Sequence, residues 1–167
     1  MNYSELEADV LRLVIEAAED DVRAFGEETV TRLVRPELLC GAADDELTED
    51  ARAALATACA NVLTIGATEL QDELATIHDG VLVDDDLDNG VLTVIRALAH
   101  WQSYLEQNRR GELYELAIRS IENVDHEVSA DLDDFLATPE MAAEYERIRR
   151  LLAPGQGRRN PQHVVQR

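Results

Sequence analysis

Val91-Leu-Thr-Val-Ile-Arg-Ala-Leu-Ala-His-Trp-Gln-Ser-Tyr-Leu105, followed beyond Gly111 by Leu113-Tyr-Glu-Leu-Ala-Ile-Arg-Ser-Ile-Glu-Asn-Val124, is the stretch that decides the fold. Val91, Ile95, Leu98, Gln102 and Leu105 recur at steps of four and three residues, as do Leu113, Ala117, Ile121, Val124 and Val128. That spacing gathers side chains on one side of a helix with 3.6 residues per turn, whereas a half-buried strand would alternate apolar and polar residues at every step. Two such segments separated at a glycine predict antiparallel helices packed through their apolar faces.

The same periodicity extends in both directions. Downstream, the second of these helices carries an apolar pattern that reaches toward Leu132 and Phe135. Thr138-Pro139 then supplies N-cap and first-turn chemistry for a last helix bearing Met141, Tyr145, Ile148, Leu151 and Leu152. Upstream, Thr48 is the expected N-cap of one long helix with the stripe Leu55, Cys59, Val62, Gly66, Leu70, Leu74 and Ile77, ended by Gly80. Gly66 inside that stripe predicts a close helix crossing, because an interior glycine costs about 1 kcal/mol against alanine. Residues 27–41 predict a short helix broken before Pro36. The first segment, with Leu6, Val10, Leu13, Val14, Ala17 and Phe25 on one side, predicts a helix that opens on a Ser4/Glu7 capping box and ends or bends at Gly26.

Between these helices lie acidic connections: Asp44, Asp45 and Glu46 after Gly41, and Asp84, Asp85, Asp86 and Asp88 after Gly80. Residues 81–83 could be extended, but three residues build no sheet. The fold class that follows is all-α, a single bundle of about five or six amphipathic helices over residues 1–153, followed by a disordered basic tail at 154–167 that has no periodicity.

Composition narrows the function classes. The chain has 167 residues and a net charge of −20, and all 15 of its basic residues are Arg. The tail holds three of them and no acid, so residues 1–153 carry 12 Arg against 35 Asp and Glu. Such a field repels phosphate backbones, which disfavours direct binding to nucleic acid, and attracts a basic protein partner. Codon usage or a salty cytoplasm would produce the same bias. Neither cysteine, Cys40 or Cys59, belongs to a metal knuckle or a redox pair, and Cys59 falls on the core stripe. The longest uncharged stretch, residues 53–68, is 16 residues long, short of the roughly 20 that a membrane span needs. With no leader-like N-terminus, the expected location is the cytoplasm.

Motifs for chemistry are sparse. Asp84, Asp86 and Asp88 occupy the first, third and fifth positions of a calcium loop, but its sixth and twelfth positions are Asn89 and Ile95 where Gly and Glu are needed, so a helix-capping loop with Asp88 or Asn89 as N-cap is the better reading. None of the four histidines has a carboxylate three residues before it, and the pair Glu122 and His126 makes at most half a metal site, so no metal and no cofactor are expected. No nucleophile elbow or phosphate loop is present. Trp101, Tyr104 and Tyr114 form the one aromatic concentration, either an anchor for a partner or the closure of the bundle's end.

One resemblance lies in the C-terminal half. Gly111-Glu-Leu-Tyr-Glu-Leu-Ala-Ile-Arg-Ser-Ile, with Asp133-Asp-Phe-Leu-Ala-Thr-Pro-Glu-Met-Ala-Ala-Glu-Tyr-Glu, resembles the C-terminal half of the YjaG-like family of bacterial helical proteins, a domain of unknown function. The resemblance implies an all-helical fold and assigns no site. The functional expectation is therefore a non-enzymatic protein-binding domain whose acidic connections face a basic partner, as in an immunity-type protein that neutralises a toxin. Behind it stand a helical enzyme with a scattered active site and a structural homodimer. Converging carboxylates and a histidine in a pocket would favour the enzyme, and an exposed apolar stripe the dimer.

Overall fold

The computed structural model describes residues 1–39, 41–84 and 86–153. These residues are all-helical. In chain order they form α1 (Tyr3–Glu16), α2 (Glu19–Leu33), a 3-10 turn (Pro36–Leu38), α3 (Ala42–Glu46), α4 (Glu49–Ala60), α5 (Ala67–Asp79), α6 (Asn89–Gln107), α7 (Arg110–Val128) and α8 (Pro139–Leu152). The one β pairing among them is an isolated antiparallel bridge between Leu47 and Val81. The expected tail, residues 154–167, lies outside the described residues, as do Cys40 and Asp85.

The helix count exceeds expectation because the segment expected as one helix from Thr48 to Ile77 is cut in two and the acids after Gly41 form a short helix of their own. Another cut, nearer the N-terminus, moves the boundary between the first two helices forward and merges most of the helix expected at 27–41 into α2. The first cut falls at Ala17 and Ala18, both extended. There the Arg110 guanidinium donates to the carbonyls of Val14, Ile15 and Ala17 at 3.0, 2.9 and 2.5 Å, satisfying acceptors that a continuing helix would have used internally. Glu19, Asp20 and Asp21 then fill the first turn of α2, where the helix dipole favours acids. The second cut falls at residues 61–66, where the buried Trp101 Nε1 donates to the Val62 carbonyl at 3.0 Å, so that α5 folds back along α4.

Both glycine expectations change accordingly. Gly26 does not end a helix but lies inside α2, where an added Cβ would stand 2.7 Å from Leu113 Cδ2 and 2.9 Å from Trp101 Cζ3. Gly66 makes no close crossing: it is the exposed N-cap of α5 with open space around it. The capping box is formed by Asn2 and Glu5 and not by Ser4 and Glu7. Thr48 and Thr138 cap α4 and α8 as expected, and Asp88 caps α6. The acids Asp44, Asp45 and Glu46 are not in a loop but form most of α3. Helix α7 stops at Val128, with Ser129 left-handed at φ 50°, short of Leu132 and Phe135. Phe135 instead packs edge-on against Tyr3 at 5.0 Å while its N–H donates to the Met1 carbonyl, which ties residues 130–137 to the N-terminus.

Helix α7 is the hub and packs against α1, α2, α6 and α8. It runs antiparallel to α6, with which it forms the pair expected from the opening stretch, and His100 Nδ1 lies 2.8 Å from Glu112 Oε2 across the turn. The buried apolar side chains form one cluster that includes Leu6, Val10, Leu98, Leu113, Leu116 and Ile148. No helix among the described residues is long and apolar enough to cross a membrane.

Candidate functional site

The two acidic connections, some forty residues apart in sequence, meet on one face. Gly80 permits this. An added Cβ there would stand 2.4 Å from both Ala51 Cβ and Thr48 Oγ1, so only glycine lets the end of α5 approach the start of α4 this closely. The Thr48 N–H donates to the Gly80 carbonyl at 2.8 Å, and the Leu82 N–H donates to the Glu46 carbonyl at 2.8 Å. Finally, the Glu46 carboxylate accepts the Asp88 N–H through Oε1 and Oε2 at 2.8 and 3.0 Å.

Within this face the acids divide by task. Glu46 holds the connection, and the Asp88 carboxylate accepts from Gly90 N and Val91 N at 2.9 and 3.4 Å to cap α6. Asp44 pairs with Arg52 at 3.1 Å. Asp45, Asp84 and Asp86 are exposed and form no ion pair among the described residues, and Leu82, 61% exposed, stands beside them. An apolar residue rimmed by unpaired carboxylates can accept a surface that carries Arg or Lys around an apolar contact.

The aromatic residues are placed differently. Trp101 is 1% exposed and Tyr104 is buried beside it at 5.5 Å, so both close the core and neither presents a face to a partner. Tyr114 is half-buried and faces α1, where burial and the charge of Glu7 raise its pKa. Cys59 is half-buried, and burial pushes its thiol up to about 11, the wrong direction for a nucleophile.

A buried polar network that periodicity alone does not reveal joins α2, α7 and α8. Arg147 Nη2 donates to Glu144 Oε1 at 2.7 Å, and Ser120 Oγ donates to the same oxygen at 2.5 Å. Arg32 pairs with Glu144 Oε2 at 3.3 Å, and Thr29 Oγ1 lies 3.3 Å from Arg147. Burial alone would raise the Glu144 carboxyl, but the hydrogen bonds and charge of Arg147, with Ser120 and Arg32, outweigh it and hold the pKa below its usual value. The sequence signal for this network was two charges, Glu144 and Arg147, on the same side of α8 as Met141 and Ile148.

Above this network lie two recesses that share Glu37, Asn123 and Glu127. One, about 340 Å³, lies between the start of α6 and the end of α7; the other, about 490 Å³, lies between the end of α2, the 3-10 turn and α7. The first gathers Asp88, Glu122, His126 and Glu127 with Arg96 and Arg119. Glu122, which shares a helical face with His126, pairs with Arg119 at 2.8 Å. No group of three or more His, Cys, Asp or Glu suited to a metal ion occurs among the described residues. Exposed apolar side chains are scattered, with Leu11 and Ile15 adjacent on α1. Comparison with protein-family models, with curated proteins and with solved structures finds no match.

Proposed function

We propose that this chain is a non-enzymatic protein-binding domain that uses the face built from α3, residues 82–84 and residues 86–88 to hold a basic partner, in the manner of an immunity-type protein that neutralises a toxin. The observation that supports this reading is the Glu46–Asp88 contact, which combines two separate acidic connections into one surface. Asp45, Asp84 and Asp86 are left to face solvent around the exposed Leu82. Unpaired surface carboxylates contribute little to folding, and their value lies in steering a complementary partner.

The test is affinity capture from the native host with the wild-type chain and with Asp45→Asn/Asp84→Asn/Asp86→Asn. A basic protein retained by the first and lost by the second supports the reading, and equal retention overturns it. A helical enzyme is the second reading, favoured by one observation: His126 lines the same recess as Asp88, Glu122 and Glu127. On that reading His126→Ala abolishes an activity while leaving capture of the partner unchanged.

A further inference from the structure

We propose that the double recess between α6, α7 and the 3-10 turn binds a small molecule bearing an oxyanion, a phosphate or carboxylate group, beside the acidic face, with which it shares Asp88. The two recesses, about 340 and 490 Å³, adjoin at Glu37, Asn123 and Glu127, which line both, and fall in the size range of small-molecule sites. The floor is built, because the lining residue Ser120 is 4% exposed and is fixed by its hydrogen bond to Glu144, itself clamped by Arg147.

The class of ligand follows from which groups are already engaged. Four carboxylates and four arginines line the two recesses. Of the carboxylates, Asp88 caps α6, Glu122 holds Arg119, and Glu37 has an interaction of its own, which leaves Glu127 without a partner among the described residues. Of the arginines, Arg35 and Arg96 make no ion pair or hydrogen bond among the described residues. The Nε–H of Arg119 is buried with no acceptor among the described residues, although Nη1 of the same group is bound to Glu122. Arg52 Nε shares that condition but stands outside both recesses.

The Arg119 Nε–H is out of reach of solvent, so the groups that can meet a ligand here are the exposed guanidiniums of Arg35 and Arg96. In a chain of net charge −20, carboxylates are the abundant partner, yet the exposed Arg35 and Arg96 at this recess, like Arg109 and Arg150 elsewhere, form no ion pair among the described residues. Guanidinium forks match phosphate and carboxylate geometry. Glu127 and the net charge oppose a bare anion, which favours a ligand that also carries an amine or hydroxyl for Glu127 to accept.

The experiment titrates the full chain with inorganic phosphate and with citrate at constant ionic strength, sodium chloride being the reference, and reads the melting temperature. Either oxyanion at about ten times its Kd should raise the midpoint by about 3 °C. Arg35→Gln and Arg96→Gln should each weaken the effect about tenfold, Glu127→Gln should strengthen it, and Arg150→Gln, which alters an exposed arginine on α8, should leave it unchanged. Independently of any variant, the ring-proton resonances of His126 should move during the phosphate titration while those of the exposed His78 on α5 stay in place. No rise with either oxyanion, an equal rise in the Arg96→Gln chain, or a rise produced instead by spermidine would overturn the proposal.

Discussion

Glu46 and Asp88 are joined side chain to backbone, with both oxygens of one carboxylate on the N–H that immediately precedes the N-cap carbonyl of α6. The contact therefore fixes both the acidic face and the entry to α6. Glu46→Ala should lower unfolding stability in urea by about 1 kcal/mol, the net worth of a hydrogen bond to a partly exposed charged group. Asp84→Asn and Asp86→Asn, which remove exposed carboxylates without an ion pair among the described residues, should each change stability by less than about 0.5 kcal/mol. A larger loss at Asp84 than at Glu46 would mean that the roles assigned to these acids are reversed.

Gly26 and Gly66 should respond in opposite directions. Gly26→Ala forces a methyl against Leu113 and the Trp101 ring inside a packed core, and overpacking of this kind costs about 1–3 kcal/mol. Gly66→Ser adds a capping oxygen where the backbone is already extended and space is open, and should stabilise by a few tenths of a kcal/mol. Thermal denaturation of the two variants, measured side by side, checks both.

These two glycines also mark the limit of what was legible in the sequence. Helical class, the α6–α7 pair and the caps at Thr48, Asp88 and Thr138 follow from spacing and local hydrogen bonding, which operate within a few residues. The breaks at residues 17–18 and 61–66 were hidden because their causes, Arg110 and Trp101, lie 93 and 39 residues away in the chain. The sequence marks the acids at 44–46 and 84–88 as candidates, but only the fold reveals that Glu46 and Asp88 serve structure while Asp45, Asp84 and Asp86 face solvent. The recess was not legible at all, since its lining comes from four separate elements whose convergence no local pattern encodes.

The Glu144–Arg147 pair should tie stability to pH and react strongly to removal of one partner. Arg147→Met leaves a buried carboxylate without its main compensation, a change that typically costs about 3–5 kcal/mol. Because the folded pKa of Glu144 lies below the ordinary glutamate value of 4.5, the pair stabilises the protein fully above that pH. The contribution is lost as pH falls through the depressed folded value. Urea unfolding of the wild type and of Glu144→Gln from pH 7 down to pH 3 should therefore show curves that converge on the acid side. A gap between the curves that widens below pH 4.5 would contradict the assignment.

The salt dependence of association tests the acidic face most directly. Between about 10 mM and 150 mM salt the screening length shrinks from about 30 Å to about 8 Å, so steering by exposed carboxylates should largely disappear while short-range packing is unaffected. For a basic partner obtained by capture, the association rate of the wild type should fall by about tenfold or more over that range, with a much smaller change in the dissociation rate. Asp45→Asn/Asp84→Asn/Asp86→Asn should associate slowly at low salt and converge with the wild type at high salt, because both then lack the same long-range term. Leu82→Ala should do the opposite, accelerating dissociation with little effect on the encounter, since an apolar contact acts only after the surfaces meet. Stopped-flow measurement of all three chains separates the two contributions. If the acidity of the chain reflects composition alone, the triple variant and the wild type will associate at the same rate at every salt concentration, and the acidic-face reading fails whatever the affinity of the complex.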